Sequence, residues 1–327
     1  MQKLKIGLFG AGHLGKIHLK CIQQIPQLEL VGFFDPNDEA AEAVEATFGI
    51  PRFGDADQLL AAVDAADIVT PTITHFELLE RAVRAGKHIF VEKPVTNTVE
   101  EGKKIVELCH NSPKLIVQVG HVERFNPAFL AIGDIALQPM FIEAHRLATF
   151  NPRGTDVSVV LDLMIHDLDI VLSLVRSPLR SVSASGVAVV SQTPDICNAR
   201  LEFENGCVAN LTASRISLKQ MRKVRFFQKD AYISLDFLDK QAQIIRLFDP
   251  ETAAKMPPEA NLMELETADG STKMIQIQMP EIQPSNAIKM ELETFAASIL
   301  DGAEVRVTLE DGFRALELAH RIVEQLG

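Results

Sequence analysis

The sequence predicts an α/β protein in which a doubly wound parallel sheet is followed by an α/β domain with a large, mostly antiparallel open sheet. At 327 residues the chain is longer than one hydrophobic core usually organises. Up to about Gly120, short apolar runs alternate with amphipathic stretches, which favours parallel strands with covering helices. Beyond it, strand-like runs follow one another. We therefore expect domains at 1–120 and 121–327.

The first domain is predicted from five apolar runs and the amphipathic stretches between them. The predicted strands are 4–9, 30–34, 66–69, 88–91 and 115–119, and the predicted helices are 13–25, 37–48, 75–85 and 98–110.

The second domain is predicted to begin with a helix near 157–175 and to end with helices at 285–301 and 308–325. The strands between them are predicted at 179–190, 197–204, 207–215, 222–228, 231–237 and 242–248. Asn205-Gly206 indicates a hairpin between two of these strands. A single long helix ahead of the strands cannot cover both sheet faces, so we expect a homodimer or homotetramer formed through this sheet.

Composition excludes several classes of protein. A net charge of -12 argues against a generic nucleic-acid binder. Four cysteines without CxxC spacing are expected to be reduced core thiols, and no metal site is expected. The N-terminus runs straight into an apolar strand, and no apolar run is long enough to span a bilayer. We expect a cytoplasmic protein without a membrane partner.

A glycine-rich turn follows the first predicted strand, which ends at Phe9. The segment Gly10-Ala11-Gly12-His13-Leu14-Gly15 has the GxGxxG spacing of a Rossmann unit and opens a helix. Such a helix N-terminus binds the pyrophosphate of a dinucleotide through free N–H groups. A purely structural turn is the alternative.

Asp35, at the end of the second predicted strand, decides between these interpretations. It lies 20 residues beyond Gly15, where an acidic side chain accepts hydrogen bonds from the adenosine ribose. Its charge would repel a 2′-phosphate, so NAD is favoured over NADP. Capping the turn at Pro36-Asn37 is an alternative role for Asp35.

Polar residues also follow three later strands, at the sheet edge where ligands of open α/β sheets bind. They are Thr70, Pro71, Thr72 and His75, then Glu92 and Lys93, and then His121. Lys93 is held beside Pro94 near the expected position of the nicotinamide. A surface lysine paired with Glu92 is the alternative interpretation.

Asp162 and His166 lie four residues apart in a predicted helix and would share one face. A carboxylate and an imidazole can then point toward one cleft, with Asp169 beside them. Structural packing is the alternative for such a pair.

Together these motifs resemble the Gfo/Idh/MocA family (glucose-fructose oxidoreductase, inositol dehydrogenase and rhizopine catabolism proteins). The matching features are the glycine motif, Glu92-Lys93-Pro94, Arg124-Phe125-Asn126-Pro127 and Asp162 with His166 and Asp169, in family order. The resemblance implies an NAD(P)-dependent dehydrogenase of sugar or cyclitol hydroxyls. It also implies that Lys93 is the catalytic lysine and that Asp162 and His166 are the acidic and histidine residues of the C-terminal domain.

Two details refine the resemblance. The family often has glycines around its Asp and His, whereas this chain has Met164 and the segment 156–160. The segments 120–127 and 156–166 are more similar to the UDP-N-acetylglucosamine 3-dehydrogenase-like members, which implies a nucleotide-sugar substrate. Arg124 is counted with the expected cofactor-binding residues, and His121 with those that bind substrate.

The chemistry requires a group that removes the hydroxyl proton while hydride leaves the same carbon. We expect His166 to be the base and Lys93 to stabilise the reacting oxygen, or the reverse. Asp162 would orient the imidazole or contact a neighbouring hydroxyl. A diphosphate could meet cations in the cluster Arg215, Lys219, Arg222 and Lys223, or this cluster could be a solvated loop. The rival functions are a dinucleotide-binding sensor without turnover and a biliverdin-reductase-like reductase of a non-sugar substrate.

Overall fold

A computed structural model describes residues 3–133, 135–151 and 157–326 of the chain. Asp156, in the segment that departs from the family pattern, lies outside the described residues. The chain forms two compact units. One comprises Met1–Phe125 with Asn286–His320, and the other comprises Asn126–Ser285 with Arg321–Gly327.

The first unit contains a five-stranded sheet in which all paired neighbours are parallel, in the order β2-β1-β3-β4-β5. Its strands are β1 (Leu4–Phe9), β2 (Leu28–Phe34), β3 (Ala65–Ile68), β4 (His88–Glu92) and β5 (Val117–Gly120). Its first helices are α1 (His13–Ile22), α2 (Asp38–Phe48), α3 (Ala56–Ala62), α4 (His75–Arg84) and α5 (Val99–His110). The predicted doubly wound sheet is confirmed, and only the short helix α3 was not predicted.

The second unit contains a nine-stranded sheet, and its described residues also form three short α-helices. The strands are β6 (Phe141–Leu147), β7 (Leu179–Val187), β8 (Ile196–Phe203), β9 (Val208–Ser214), β10 (Met221–Gln228), β11 (Ala231–Asp236), β12 (Gln241–Phe248), β13 (Leu262–Glu266) and β14 (Thr272–Gln278). The helices are α6 (Pro127–Leu130), α7 (Ile165–Leu174) and α8 (Pro250–Ala253).

This sheet has the order β13-β14-β12-β11-β10-β6-β9-β8-β7, and every pairing is antiparallel except that of β6 with β9. The mostly antiparallel sheet is therefore confirmed. The predicted hairpin at Asn205-Gly206 joins β8 and β9, and Gly206 has φ +86°. Three strands were not predicted, namely β6, β13 and β14.

The last two long helices are α9 (Ala287–Leu300) and α10 (Leu309–Val323). The sequence placed all of 121–327 in the second domain, but residues Asn286–His320 belong to the first unit. The reason is burial: Leu292, Phe295 and Ala296 of α9 share a hydrophobic core with residues of β1, α1 and β4. Within the described ranges, no helix is both long and apolar enough to cross a membrane.

Candidate functional site

The glycine loop between β1 and α1 has the shape of a phosphate cradle. Gly10 has φ +102°, and a Cβ there would lie 2.5 Å from the Val69 carbonyl oxygen. A Cβ on Gly15 would overlap the Gly10 carbonyl, so the helix packs on the loop only with glycine. A Cβ on Gly12, in contrast, would meet no described atom within 4 Å.

Gly12 lies at the N-terminal end of α1, and this end of the helix is suited to binding an anion. Gly12 is the N-cap of α1, and it cannot cap the helix with a side chain. The first turn of α1 contains no acidic residue. Its free N–H groups and positive dipole end therefore remain available for phosphate oxygens. The loop fits the pyrophosphate of a dinucleotide.

Asp35 is half-buried beyond the end of β2 and holds the loop. Its Oδ2 accepts a hydrogen bond from the Ala11 N–H at 2.6 Å, and its Oδ1 accepts one from the Asn37 N–H at 2.8 Å. The alternative role of capping the turn at Pro36-Asn37 is therefore present, and the same carboxylate also contacts the glycine loop. Each oxygen keeps a further lone pair with which it can accept a ribose hydroxyl.

Arg52 is a neighbour of Asp35 that sequence reasoning missed, because it lies 17 residues further along the chain. Its Nη2 donates to the Asp35 carbonyl oxygen and pairs with Asp38 Oδ1, both at 2.8 Å. Asp38 therefore engages a cation that could otherwise meet a 2′-phosphate.

Thr70, Pro71 and Thr72 follow β3 at the carboxyl edge of the sheet, as expected. His75, the fourth residue expected here, has a buried imidazole. Its Nδ1 lies 2.9 Å from the Pro94 carbonyl oxygen and its Nε2 lies 3.0 Å from that of Thr70. Burial lowers the pKa of His75. The ring lies between the loops that follow β3 and β4, and a neutral imidazole donates to one of these two carbonyls.

Glu92 and Lys93 stand at the end of β4, where Lys93 is half-buried. The alternative interpretation placed Glu92 in a surface pair with Lys93, whereas Glu92 is buried. Its side chain points into the unit and is only 8% exposed, and its Oε2 accepts the backbone N–H of Lys93 at 3.2 Å.

The partner of Glu92 is His18, a residue of α1 that sequence reasoning also missed. His18 Nε2 lies 3.2 Å from Glu92 Oε1, and His18 Nδ1 lies 3.0 Å from Asp67 Oδ2 on β3. A signal existed, since His18 is a polar residue on the apolar face formed by Gly15, Leu19 and Ile22.

The charges in this cluster follow from its contacts. Burial alone would lower the pKa of His18, but Asp67 and then Glu92 outweigh it and hold that pKa well above its usual value. Burial would raise the pKa of Glu92, but His18 and then Lys93 lower it below the usual range. The geometry therefore suits an imidazolium between two carboxylates.

Glu291 of α9 completes the cluster. A ligand atom from each of His18, Glu92 and Glu291 lies within 4.8 Å of the other two. Burial, and then repulsion from Glu92, raises the pKa of Glu291 well above its usual value. Because both nitrogens of His18 face carboxylates, the imidazole is held as a hydrogen-bond donor rather than as a metal ligand.

His121 and Arg124 follow β5 in the same unit. The His121 side chain is 1% exposed, and Arg124 lies in the next 3₁₀ turn, 3.8 Å from Asp311 Oδ2 of α10.

The second unit carries Asp162 and His166, both half-buried. The spacing predicted that both residues lie on one continuous α-helix, and the structure differs from this prediction. Asp162 lies in a π-helical turn, Val160–Met164, and His166 lies in the first turn of α7. Single π-helical turns occur frequently at functional sites. Met164, which departs from the family pattern, is fully buried in this turn.

A buried ion pair anchors the helix next to His166. Arg146 of β6 donates from Nε and Nη2 to the two oxygens of Asp167, both at 2.9 Å. Neither side chain is more than 4% exposed. Sequence reasoning missed this pair because strand β6 was not predicted.

Arg215 does not belong to an exposed basic loop, contrary to expectation. It is 5% exposed, donates to the Val157 carbonyl oxygen and lies 3.9 Å from Asp195 Oδ1. Lys223, also in the expected cluster, pairs with Asp236 at 3.1 Å. Lys219 and Arg222 are exposed.

Two protein-family models match the chain. The model of an oxidoreductase family with an NAD-binding Rossmann fold matches residues 4–121, and the GFO/IDH/MocA C-terminal domain model matches residues 132–232. This chain belongs to the Gfo/Idh/MocA family of oxidoreductases. The family resemblance expected from the motifs is thus confirmed, as are an enzyme and its cofactor, NAD.

Individual members of the family are similar over most of the chain. UDP-N-acetylglucosamine 3-dehydrogenase of Acidithiobacillus ferrooxidans is 41% identical over 75% of this chain and 77% of its own length. A solved structure of that enzyme covers 100% of this chain and 98% of its own, with a TM-score of 0.87 and 33% identity. Inositol 2-dehydrogenase of Rhizobium meliloti is 28% identical over 99% of this chain and 97% of its own length.

Proposed function

We propose that this oxidoreductase transfers hydride between a secondary hydroxyl of a nucleotide sugar, of the UDP-N-acetylglucosamine type, and NAD. The observation that carries the proposal is the carboxyl edge of the parallel sheet, which holds both the glycine loop with Asp35 and, at the end of β4, Lys93. The substrate class rests on the 41% identity to the Acidithiobacillus ferrooxidans enzyme.

We assign the cofactor to the residues of the first unit. The N–H groups at the start of α1 would hold the pyrophosphate, and Asp35 would accept the adenosine ribose hydroxyls. NAD, when bound, accepts the hydride that leaves the alcohol carbon. Residues from Thr70 to Thr72, together with Lys93, would border the nicotinamide end.

The remaining steps fall to side chains of this chain. Lys93 would donate a hydrogen bond to the reacting oxygen and stabilise the charge that develops there. His166 would take up the hydroxyl proton, and Asp162 would orient the imidazole. The roles of Lys93 and His166 can be exchanged, since a lysine with a lowered pKa also acts as a base.

A diphosphate needs cations, and Arg215 is no longer the first candidate because it is buried. We assign this role to the exposed Lys219 and Arg222.

The outer face of the nine-stranded sheet supports assembly with a second copy. One cross-strand row on this face is apolar over six strands, and we call it the apolar row. It consists of Val208, Phe141, Phe227, Tyr232, Ile245 and Ile277. Five of these side chains are half-buried and Ile277 is exposed. We propose that two copies associate through this row in the cytoplasm.

The test of the function is NAD reduction, followed at the nicotinamide absorbance, with a panel of hydroxyl substrates. The panel contains UDP-N-acetylglucosamine, UDP-glucose, free N-acetylglucosamine and myo-inositol. We expect turnover with the UDP sugars and little with the free compounds. Turnover with inositol alone would overturn the substrate class. NAD binding without turnover on any alcohol, or reduction of a non-sugar substrate only, would favour the sensor or the biliverdin-reductase-like alternative.

A further inference from the structure

We propose that His18 is a positioning residue for the reaction, because it fixes Glu92 and through Glu92 the backbone that carries Lys93. The inference rests on the proposed function of Lys93. It concerns a side chain that is fully buried and cannot itself touch a substrate.

The contacts form one continuous chain across three neighbouring elements. Asp67 of β3 accepts from His18 Nδ1 at 3.0 Å, and His18 Nε2 reaches Glu92 Oε1 at 3.2 Å. The other oxygen of Glu92 accepts the N–H of Lys93 at 3.2 Å. The orientation of the Glu92 carboxylate thus connects the imidazole to the Lys93 backbone.

The space around Glu92 is also restricted on the side of β5. A Cβ on Gly120 would lie 2.9 Å from the Glu92 carboxyl carbon and from its Oε1. The phenyl ring of Phe90 packs edge-on against His18 from β4, with ring centroids 5.8 Å apart. Gly120 and Phe90 therefore leave little room around the Glu92 carboxylate and its partner His18.

A purely structural role does not account for this arrangement. Burying an imidazolium and its carboxylates costs desolvation energy, and well-packed apolar residues of similar volume stabilise a fold at least as well. The cluster lies beside Lys93, where a small displacement matters. Even a misplacement of about 1 Å costs up to about a hundredfold in rate.

Two variants separate the two nitrogens of His18. The amide of His18→Gln can reach the position of Nε2 and keep the contact with Glu92, whereas the amide of His18→Asn can replace only Nδ1 and keep the contact with Asp67. Each variant removes the cation and leaves one buried carboxylate without its partner. Their losses of stability should therefore be similar, which makes them a matched pair.

We expect kcat of His18→Asn to fall by about tenfold to a hundredfold and kcat of His18→Gln to stay within about threefold of the unchanged enzyme. The KM for NAD should be alike in both variants. Glu291→Gln is the control within the same cluster, because neither carboxyl oxygen of Glu291 has a hydrogen-bond partner among the described residues, and its kcat should be unchanged.

A second measurement needs neither substrate nor cofactor. Amide hydrogen exchange of the peptide that contains Lys93 should become faster in His18→Asn and stay slow in His18→Gln, because only the first variant releases Glu92. Equal exchange and equal kcat in the two variants would overturn the proposal and leave His18 a structural role.

Failure of the proposed function gives a different result. If Lys93→Met keeps its turnover, the catalytic role of Lys93 is wrong whatever the His18 variants do. If Lys93→Met is inactive while His18→Asn and His18→Gln behave alike, only the positioning role is wrong.

Discussion

The Asp35 carboxylate accepts a hydrogen bond from the Ala11 N–H at 2.6 Å, so the residue expected to bind the cofactor ribose also ties the glycine loop to the end of β2. Two substitutions distinguish the effect of the negative charge of Asp35 from the effect of its hydrogen bond to Ala11. Asp35→Asn keeps an oxygen that accepts from Ala11, whereas Asp35→Ala removes the contact.

We expect Asp35→Asn to weaken NAD binding by about tenfold, the loss of a hydrogen bond to a charged group. NADP binding should improve, because the repulsion of a 2′-phosphate disappears and Arg52 lies beside the site. Fluorescence titration of both cofactors measures the ratio, with Glu42→Gln, an exposed carboxylate of α2, as the control. An unchanged ratio in Asp35→Asn would show that Asp35 does not face the ribose.

Lys93→Met should lower turnover by about a hundredfold to a thousandfold through loss of a positioned donor. His166→Ala should cost about a hundredfold if it is the base. Neither change should alter NAD affinity, which depends on the glycine loop and Asp35. Lys103→Met, an exposed lysine in α5, is the control. Near-normal turnover, or loss of activity only through unfolding, would remove that residue from the catalytic assignment.

Glu291→Gln should stabilise the protein increasingly as pH rises. The pKa of Glu291 is raised in the folded state by burial and by Glu92, with Asp67 adding to this effect and His18 opposing it. Below its unfolded pKa, near 4.5, the carboxyl is protonated in both states and makes no difference. Above that pH only the unfolded state ionises, so folding stability falls until the folded pKa is reached.

Glutamine does not ionise, so the difference in unfolding free energy between variant and wild type should grow by about 1.4 kcal/mol per pH unit above pH 4.5. Urea unfolding at pH 4, 6 and 8 measures it. Glu293→Gln, a more exposed residue of the same helix, should show no such trend. A constant difference from pH 4 to 8 would mean that Glu291 is ionised in the folded protein.

Arg146→Met should destabilise the second unit by about 3 to 5 kcal/mol, because it leaves the buried Asp167 carboxylate without its cation. Arg146→Met with Asp167→Leu should recover most of this loss, since an apolar pair fills the space without a buried charge. A double-mutant cycle by urea unfolding tests this. Additive losses in the double variant would argue that the two side chains do not form a pair.

Phe227→Glu should dissociate the proposed assembly, because it places a charge in the centre of the apolar row. Phe227 packs against Tyr232 with ring centroids 5.0 Å apart and against Phe141 at 5.9 Å. Sedimentation at micromolar concentration should give a dimer or tetramer for the unchanged protein and a monomer for the variant. Val189→Glu, an exposed site outside the row, is the control. A monomeric unchanged protein would refute the assembly.

Local pattern was sufficient for the parallel sheet and the glycine loop. The strands of the first unit are short and mostly apolar, and the amphipathic helices between them have a different period, so each element is recognisable alone. Gly10 and Gly15 are readable because the backbone itself demands glycine there. The same holds for the Asn205-Gly206 hairpin, where a turn residue lies between two alternating strands.

Pattern failed where an element depends on a distant partner. Strand β6 has alternating burial, but the inward-facing Arg146 interrupts its apolar side, and only Asp167 of α7 makes that inward charge tolerable. Helix α9 is amphipathic in sequence, but its own residues do not indicate which of the two hydrophobic cores it will pack against. Its apolar side chains pack with β1 and β4 in the first unit.

The sequence alone therefore determined the family of chemistry, since the residue types and spacings of the glycine motif, Asp35, Lys93 and His166 lie in short segments. Only the tertiary structure decided how those residues are supported. His18 and Glu92 are 74 residues apart in the sequence, and Glu92 and Glu291 are still further apart, yet their side chains are neighbours in the folded protein. A hydrogen bond or a buried charge depends on distance in space, and folding alone brings such groups within 3 to 5 Å of one another.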